Sequence, residues 1–284
     1  MKKWSIVVSI LIIANIYAFN YEHFLRPNRT LQVSFLDVGQ GDAIYIRAPN
    51  GNDLLIDGGP DDTLIQKLHE AMPVFDRDID MVIATHPDKD HIAGLIHAFD
   101  QYQIHYFLES EVSSGTSFDL SLTNKVTQEP HMKKILARRG GRIILDTHHG
   151  VYLDILFPDQ NTSTFTEPND ASIVLRLVYG SRSFLLTGDA PISVEQFLSR
   201  NDDERIRSSV LKLGHHGSRT SSSDEFLDQV KPDYAIVSAG KNNSYRHPHV
   251  SVVDRVKSRN IPLLSTIDLG TITFYTNGQV LWQK

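Results

Sequence analysis

The 284-residue sequence contains no cysteine. That excludes disulfide stapling, thiolate zinc sites and a cysteine nucleophile, so any metal must be held by imidazole nitrogen and carboxylate oxygen. Thirteen histidines and 34 acidic residues are available for that role. An excess of positive charge is also missing. The formal net charge is −6, so no global basic field marks a high-affinity nucleic-acid binder, although bound divalent cations would add positive charge locally. Long apolar runs are scarce, with one exception at the start. Lys2 and Lys3 precede residues 4–19, which are apolar except for Ser5, Ser9 and Asn15. As a helix this run would be about 24 Å long, short for a membrane span but suited to a signal-peptide core behind a positive n-region. Residues 1–19 are therefore expected to be a signal peptide or an N-terminal membrane anchor, and 20–30 a linker. Either alternative puts the remainder outside the cytoplasm.

The rest is ordinary in composition, 40% hydrophobic and 22% charged, and long enough for one large domain over 31–284. Strands are expected at 31–38, 43–47, 54–57 and 81–85, with a helix capped by Asp61 or Asp62 and another at 92–99. A further helix is expected over 120–139, carrying Lys133, Lys134, Arg138 and Arg139. The Thr/Asn/Pro-rich stretch 158–170 reads as the loop between two halves. The second half repeats the style of the first, with strands near 172–178, 183–186, 210–213 and 234–238, helices at 191–200, 223–230 and 250–259, and a hairpin near 264–283. Such an alternation predicts two sheets packed face to face with helices outside.

The strongest chemical signal is His86-x-Asp88-x-Asp90-His91. Four potential ligands fall within six residues at the end of a buried strand, and a turn there can fan side chains toward two points a few ångströms apart. This nitrogen and oxygen set suits Zn²⁺ or Mn²⁺. Further candidates close other strands: Asp57 in Asp-Gly-Gly, Asp189 in Thr-Gly-Asp, His215 and His216 in Gly-His-His-Gly-Ser, and His247 in Arg-His-Pro-His. Polar residues at strand ends are where sheet-based sites collect. His148-His149 reads as a turn before a strand.

Taken in order, residues 35–42 (Phe-Leu-Asp-Val-Gly-Gln-Gly-Asp), the Asp57 triplet, residues 85–91, Asn169-Asp-x-Ser172, Thr187-Gly-Asp189, His215-His-Gly-Ser218 and His247-Pro-His249 resemble the metallo-β-lactamase superfamily. Within it they resemble the C-terminal hydrolase domain of the competence protein ComEC. The resemblance implies an α/β fold, a four-layer αββα sandwich with the site at the sheet edges. It implies two divalent metal ions: His86 and Asp88 at one, Asp90 and His91 at the other, Asp189 bridging, and His247 completing the second. Asp57 would orient the metal loop, and His215 or His216 would contact the substrate or the leaving oxygen. Asp88 and Asn169 stand where the wider superfamily has histidines, which favours oxygen-loving Mn²⁺ at the first site.

The expected activity is metal-assisted hydrolysis of a phosphodiester, DNA above all, outside the cytoplasm, with membrane association through an uncleaved N-terminal segment. Arg142, Lys212 and Arg219, with the basic residues of 133–139, are the expected DNA contacts. Two other readings are a small-substrate phosphodiesterase or esterase of the phosphorylcholine-esterase kind, and a degenerate, non-catalytic DNA-binding domain.

Overall fold

The structure, a computed structural model, describes Leu11 and residues 29–284. The expected signal or anchor segment and the linker lie outside the described residues, save Leu11 and residues 29–30. Among the described residues no helix is long and apolar enough to cross a membrane.

Two sheets carry the fold. The first begins with an antiparallel run, β1 (Leu31–Phe35), β2 (Ile44–Arg47) and β3 (Asp53–Ile56). It continues in parallel through β4 (Asp78–Ala84), β5 (Gln103–Glu109) and β6 (Lys133–Leu136). The second contains β7 (Arg142–Asp146), β8 (Val151–Phe157), β9 (Val174–Tyr179), β10 (Arg182–Leu186), β11 (Val210–Lys212), β12 (Tyr234–Val237) and β13 (Leu263–Ser265) in spatial order. The last hairpin, β14 (Ile272–Thr276) and β15 (Leu281–Gln283), returns to the first sheet, where β14 pairs with β1.

Alternation explains the layers. In β1 to β4, Leu31, Val33, Phe35, Ile44, Ile46, Leu54, Ile56, Met81 and Ile83 face inward, onto Leu153, Ile155, Leu175, Leu177, Phe184 and Leu186 of the second sheet. The intervening Tyr45, Leu55 and Val82 face outward and are covered by α1 (Thr63–Ala71), α2 (Lys89–Gln101) and α3 (Ser117–Gln128). The outer face of the second sheet is covered by α4 (Ile192–Asn201), α5 (Asp203–Ile206), α6 (Asp224–Val230) and α7 (Val250–Ser258). A short α8 (Thr266–Leu269) precedes β14. Strands covered on both faces need apolar residues at nearly every position. The result is the expected αββα sandwich.

Three expectations need correction. The helix over 120–139 stops at Gln128, and Lys133 to Leu136 form β6. Pro130 is the reason: its ring costs a helix interior about 3 kcal/mol and disfavours helical backbone at Glu129. Second, the crossing between sheets comes before the 158–170 loop, because β7 and β8 already belong to the second sheet. Third, the metal motif is only half a turn: Lys89, Asp90 and His91 are the first residues of α2. His148 and His149 sit in the β7–β8 turn, where both N–H groups and the His149 ring bind Asp146. That end of the sandwich is remote from the C-terminal ends of β10 and β11.

Candidate metal centre

Parallel β3 and β4, and parallel β10, β11 and β12, all end at the same edge of the sandwich. The residues that follow them therefore converge. Asp57 follows β3, His86 and Asp88 follow β4, Asp189 follows β10, and His215 and His216 follow β11. Close backbone approach is required here. The Asp42 N–H donates to the Asp90 carbonyl (3.3 Å), and a Cβ on Gly41 would lie 2.1 Å from that same oxygen. Gly94 lets α2 press equally close to the Gly58 carbonyl, at 1.9 Å from its ideal Cβ position. These contacts seat the start of α2 against the ends of β1 and β3.

Asp57, buried and with a left-handed φ of 57°, accepts from the Thr85 N–H (2.8 Å) and the Thr85 hydroxyl (2.7 Å), and its Oδ2 lies 2.8 Å from His91 Nδ1. This fixes the His91 ring with Nε2 toward Asp189 Oδ1, 3.3 Å away. Asp57 thus ties Thr85 to the His91 ring. The Thr85 hydroxyl also meets His86 Nδ1 at 3.0 Å, leaving His86 Nε2 4.0 Å from Asp189 Oδ2 and 3.7 Å from Asp88 Oδ2.

His215 and His216 lie on a 3-10 turn, Gly214–Gly217, both with positive φ (47° and 53°). Left-handed backbone at two successive histidines is costly and persists only where the surroundings enforce it. Here it aims both rings at one carboxylate. His216 Nε2 lies 3.3 Å from Asp90 Oδ2 and 3.5 Å from Asp189 Oδ2, and the part-exposed His215 Nε2 lies 3.7 Å from Asp189 Oδ2. His247 is one ring further out, its centroid 5.5 Å from that of His215 and 6.3 Å from that of His216. Asn169, on the turn Pro168–Ala171, follows a similar logic: its segment is tied to the metal loop through the Ile173 N–H and the Thr85 carbonyl (3.0 Å).

Ligand atoms lie within 4.8 Å of one another in four overlapping triads, His86–His91–Asp189, Asp90–His91–His216, Asp42–Asp57–His91 and Asp42–Asp189–His216. His86 Nε2, His91 Nε2, His216 Nε2 and Asp189 Oδ1 are buried without a hydrogen-bond partner, as are His247 Nδ1 and Asn169 Oδ1. Buried polar atoms are nearly always paired, so a cluster of bare imidazole nitrogens around a bare carboxylate oxygen fits divalent cations.

The electrostatics agree. Burial, reinforced by His91, pushes the His86 pKa down to about 3, so His86 is neutral and ready to coordinate. Burial opposes the charged form of His216, but Asp189 and Asp42 outweigh it and raise its pKa to about 9. His91 is likewise raised well above the usual histidine value against burial, chiefly by Asp189 and Asp57. His216 and His91 in turn outweigh burial at Asp189 and hold it well below the carboxylate range. Burial, reinforced by Asp90 and Asp189, raises Asp88. These protonated imidazoles occupy the place of cations among carboxylates.

Lys212 is corrected from a DNA contact to a core residue. It is fully buried, with Nζ 2.6 Å from Asp42 Oδ2. Most of the basic stretch is also committed: Lys134 to Glu109, Arg138 to Glu111, Arg139 to Asp202 and Arg142 to Asp154. Arg219, expected as a DNA contact, is exposed. What the sequence reading missed is Asp42 itself and the exposed rim next to His247, Lys241, Tyr245 and Arg246. Tyr245 stacks on His247 at 5.7 Å and 22°.

Fold and centre together define a metal-binding αββα hydrolase. Residues 36–241 match the Metallo-beta-lactamase superfamily, to which the chain belongs. It is 30% identical over 273 residues to ComE operon protein 3 of Bacillus subtilis, covering 88% of this chain and 33% of that protein. It is 34% identical over 234 residues to Recombination protein 2 of Haemophilus influenzae, covering 80% and 26%. The chain thus spans about a third of the length of such relatives. Among solved structures, the diiron β-hydroxylase CmlA of Streptomyces venezuelae shares the fold, with a TM-score of 0.56 at 13% identity, covering 86% of this chain and 53% of that one.

Proposed function

We propose that this chain is a metal-dependent phosphodiesterase that cleaves DNA outside the cytoplasm, held near the membrane if its N-terminal segment is retained. The observation that carries the metal-dependent part is the group of unpaired buried ligand atoms on His86, His91, His216 and Asp189. His86, His91 and Asp189 would hold one Zn²⁺ or Mn²⁺, and Asp90 and His216 face a second position beside Asp189; Asp88 and His247 flank the two. Bound there, the ions would supply hydroxide near neutral pH and a counter-charge for the attacked phosphate. Asp57 holds the His91 ring. His215, part-exposed, with Nε2 3.7 Å from Asp189 Oδ2 and its pKa lowered by burial, is placed to donate a ring N–H hydrogen bond to the phosphate.

DNA as substrate is supported by the rim. Arg219, Lys241 and Arg246 offer phosphate contacts, and Tyr245 offers a stacking face, worth about 1–3 kcal/mol per base in single-strand binders. The names of the relatives, which concern competence and recombination, point the same way. A lone exposed tyrosine is too little for the aromatic cage that a quaternary ammonium substrate prefers. The test is turnover by the purified chain, with Mn²⁺ or Zn²⁺, of DNA, bis-p-nitrophenyl phosphate and nitrocefin. Both phosphodiesters should be cleaved and nitrocefin spared, with Asp90→Ala inactive. Activity surviving in Asp90→Ala would sink the assignment of the site, and cleavage of the small ester alone would sink DNA.

A further inference from the structure

The least economical feature of the molecule lies directly behind the metal centre. Asp42, in the turn after β1, and Lys212, the last residue of β11, form an ion pair with both side chains essentially out of solvent. Lys212 Nζ also donates to the Leu213 carbonyl at 3.0 Å. A buried pair of this kind gives no more stability than well-packed apolar residues of the same volume, so stability alone does not explain it.

Its geometry does. The second oxygen of the carboxylate, Asp42 Oδ1, has no hydrogen bond of its own and lies 3.4 Å from His216 Nδ1. That same Nδ1 lies 3.0 Å from the Ser238 carbonyl oxygen. An imidazole nitrogen facing a carbonyl on one side and a carboxylate on the other must carry the proton, since neither neighbour can donate. Once metal displaces its second proton, the free electron pair is on Nε2, which lies within 3.5 Å of both Asp90 and Asp189. Asp42 could also approach the centre itself, because its carboxylate, Asp189 and His216 have ligand atoms within 4.8 Å of one another. Lys212 holds the other oxygen of that carboxylate, Oδ2, at 2.6 Å.

We propose that Asp42 and Lys212 are positioning residues for the metal: the carboxylate fixes the ring and tautomer of His216, and the ammonium keeps that carboxylate from becoming a ligand. The proposal rests on the metal-hydrolase reading. It makes the junction of the two halves, the β1–β2 loop against the end of β11, part of metal affinity rather than of packing alone.

The experiment is Mn²⁺ and Zn²⁺ titration of the full chain by calorimetry, with metal stoichiometry by elemental analysis and thermal melting of the metal-free protein. Asp42→Asn should weaken binding roughly 10–100-fold, the range for loss of an outer partner of a metal-bound histidine. In a His216→Ala background, Asp42→Asn should cost nothing further, because its effect runs through that ring. The double variant Asp42→Leu/Lys212→Met should melt like the parent yet bind metal as weakly as Asp42→Asn. Additive losses in the His216→Ala background, or parental affinity in the double variant, would overturn the positioning role and leave a packing role. Should Asp42→Asn fail to fold, the double variant carries the comparison. A parent chain that takes up no metal would instead overturn the reading on which the proposal rests.

Discussion

In the first half of the chain, His86, Asp88, Asp90 and His91 lie within six residues and share one strand end and one helix start. In the second half, Asp189, His215, His216 and His247 come from three separate loops and meet only because β10, β11 and β12 run in parallel. In the first group Thr85, next to His86, and Asp57, 34 residues before His91, fix both imidazoles. In the second, strained backbone aims the rings, and His216 is flanked by the Ser238 carbonyl and by Asp42 from the first half. The first half therefore brings a dense set of ligands held by its own residues, and the second places its rings with strained backbone and a carboxylate of the first. This division of labour can be broken from either side.

The largest effect is expected from Asp189, a second-half carboxylate with ligand atoms close to His86, His91 and His216. Asp189→Ala should abolish phosphodiester turnover and reduce metal binding below one equivalent. Removing it leaves His91 and His216 facing each other without the counter-charge that raises both. Elemental analysis of the dialysed protein checks this, and full occupancy would show that the first half suffices by itself.

Next comes the contrast between His216→Ala and His247→Ala. His216 Nε2 lies within ion-pair distance of both Asp90 and Asp189, whereas His247 stands a ring further from them. His216→Ala should lower metal affinity roughly 100-fold, at the upper end of what supporting groups contribute, and His247→Ala should lower it less. The reverse ranking, measured by competition with a chromophoric chelator, would mean that the 240–249 loop closes onto the metal when it binds.

A smaller, graded effect is expected from pH. In the metal-free protein His216 titrates at about 9 and His91 well above the usual histidine range, whereas His86 at about 3 is already neutral. Metal must displace the protons of the first two. Apparent affinity should therefore rise with pH, by about tenfold per unit for each proton displaced, and continue rising above pH 7 instead of levelling off near an ordinary histidine value of about 6.5. Calorimetry in two buffers of different ionisation enthalpy counts the protons released. A flat affinity above pH 7 would show that neither ring is protonated.

The same contrast explains what was legible in the sequence. The His86–His91 motif, Asp57 and the layer order could be read because spacing and alternation carry them. The structure adds that His216, expected as a substrate contact, has its Nε2 among the ligands, a direction set by two left-handed residues that spacing does not encode. Lys212 looked like a surface cation because its partner, Asp42, is 170 residues away in the chain. The helix expected over 120–139 ignored Pro130, a local signal that was available. The return of β14 to the first sheet had no sequence signal, since an edge hairpin reads the same on either sheet.

The smallest expected effect separates two basic regions. Lys134, Arg138, Arg139 and Arg142 are each paired with a carboxylate, so their charges are already compensated. Arg219 and Arg246 are exposed and lie close in sequence to His216 and His247. A phosphate contact contributes to the salt dependence of nucleic-acid binding, with a slope of roughly 0.7 per phosphate for single strands. Arg219→Ala with Arg246→Ala should therefore raise KM for single-stranded DNA several-fold and flatten its dependence on salt by about one to two units of slope. Replacing Lys134, Arg138, Arg139 and Arg142 by alanine should leave that slope unchanged, because cations already engaged by carboxylates make no phosphate contact to lose. Steady-state kinetics across a salt series reads both variants. An equal flattening in the second would put the DNA path along β6 and β7, and would move substrate binding from the rim built by the second half to the edge where the two sheets lie open.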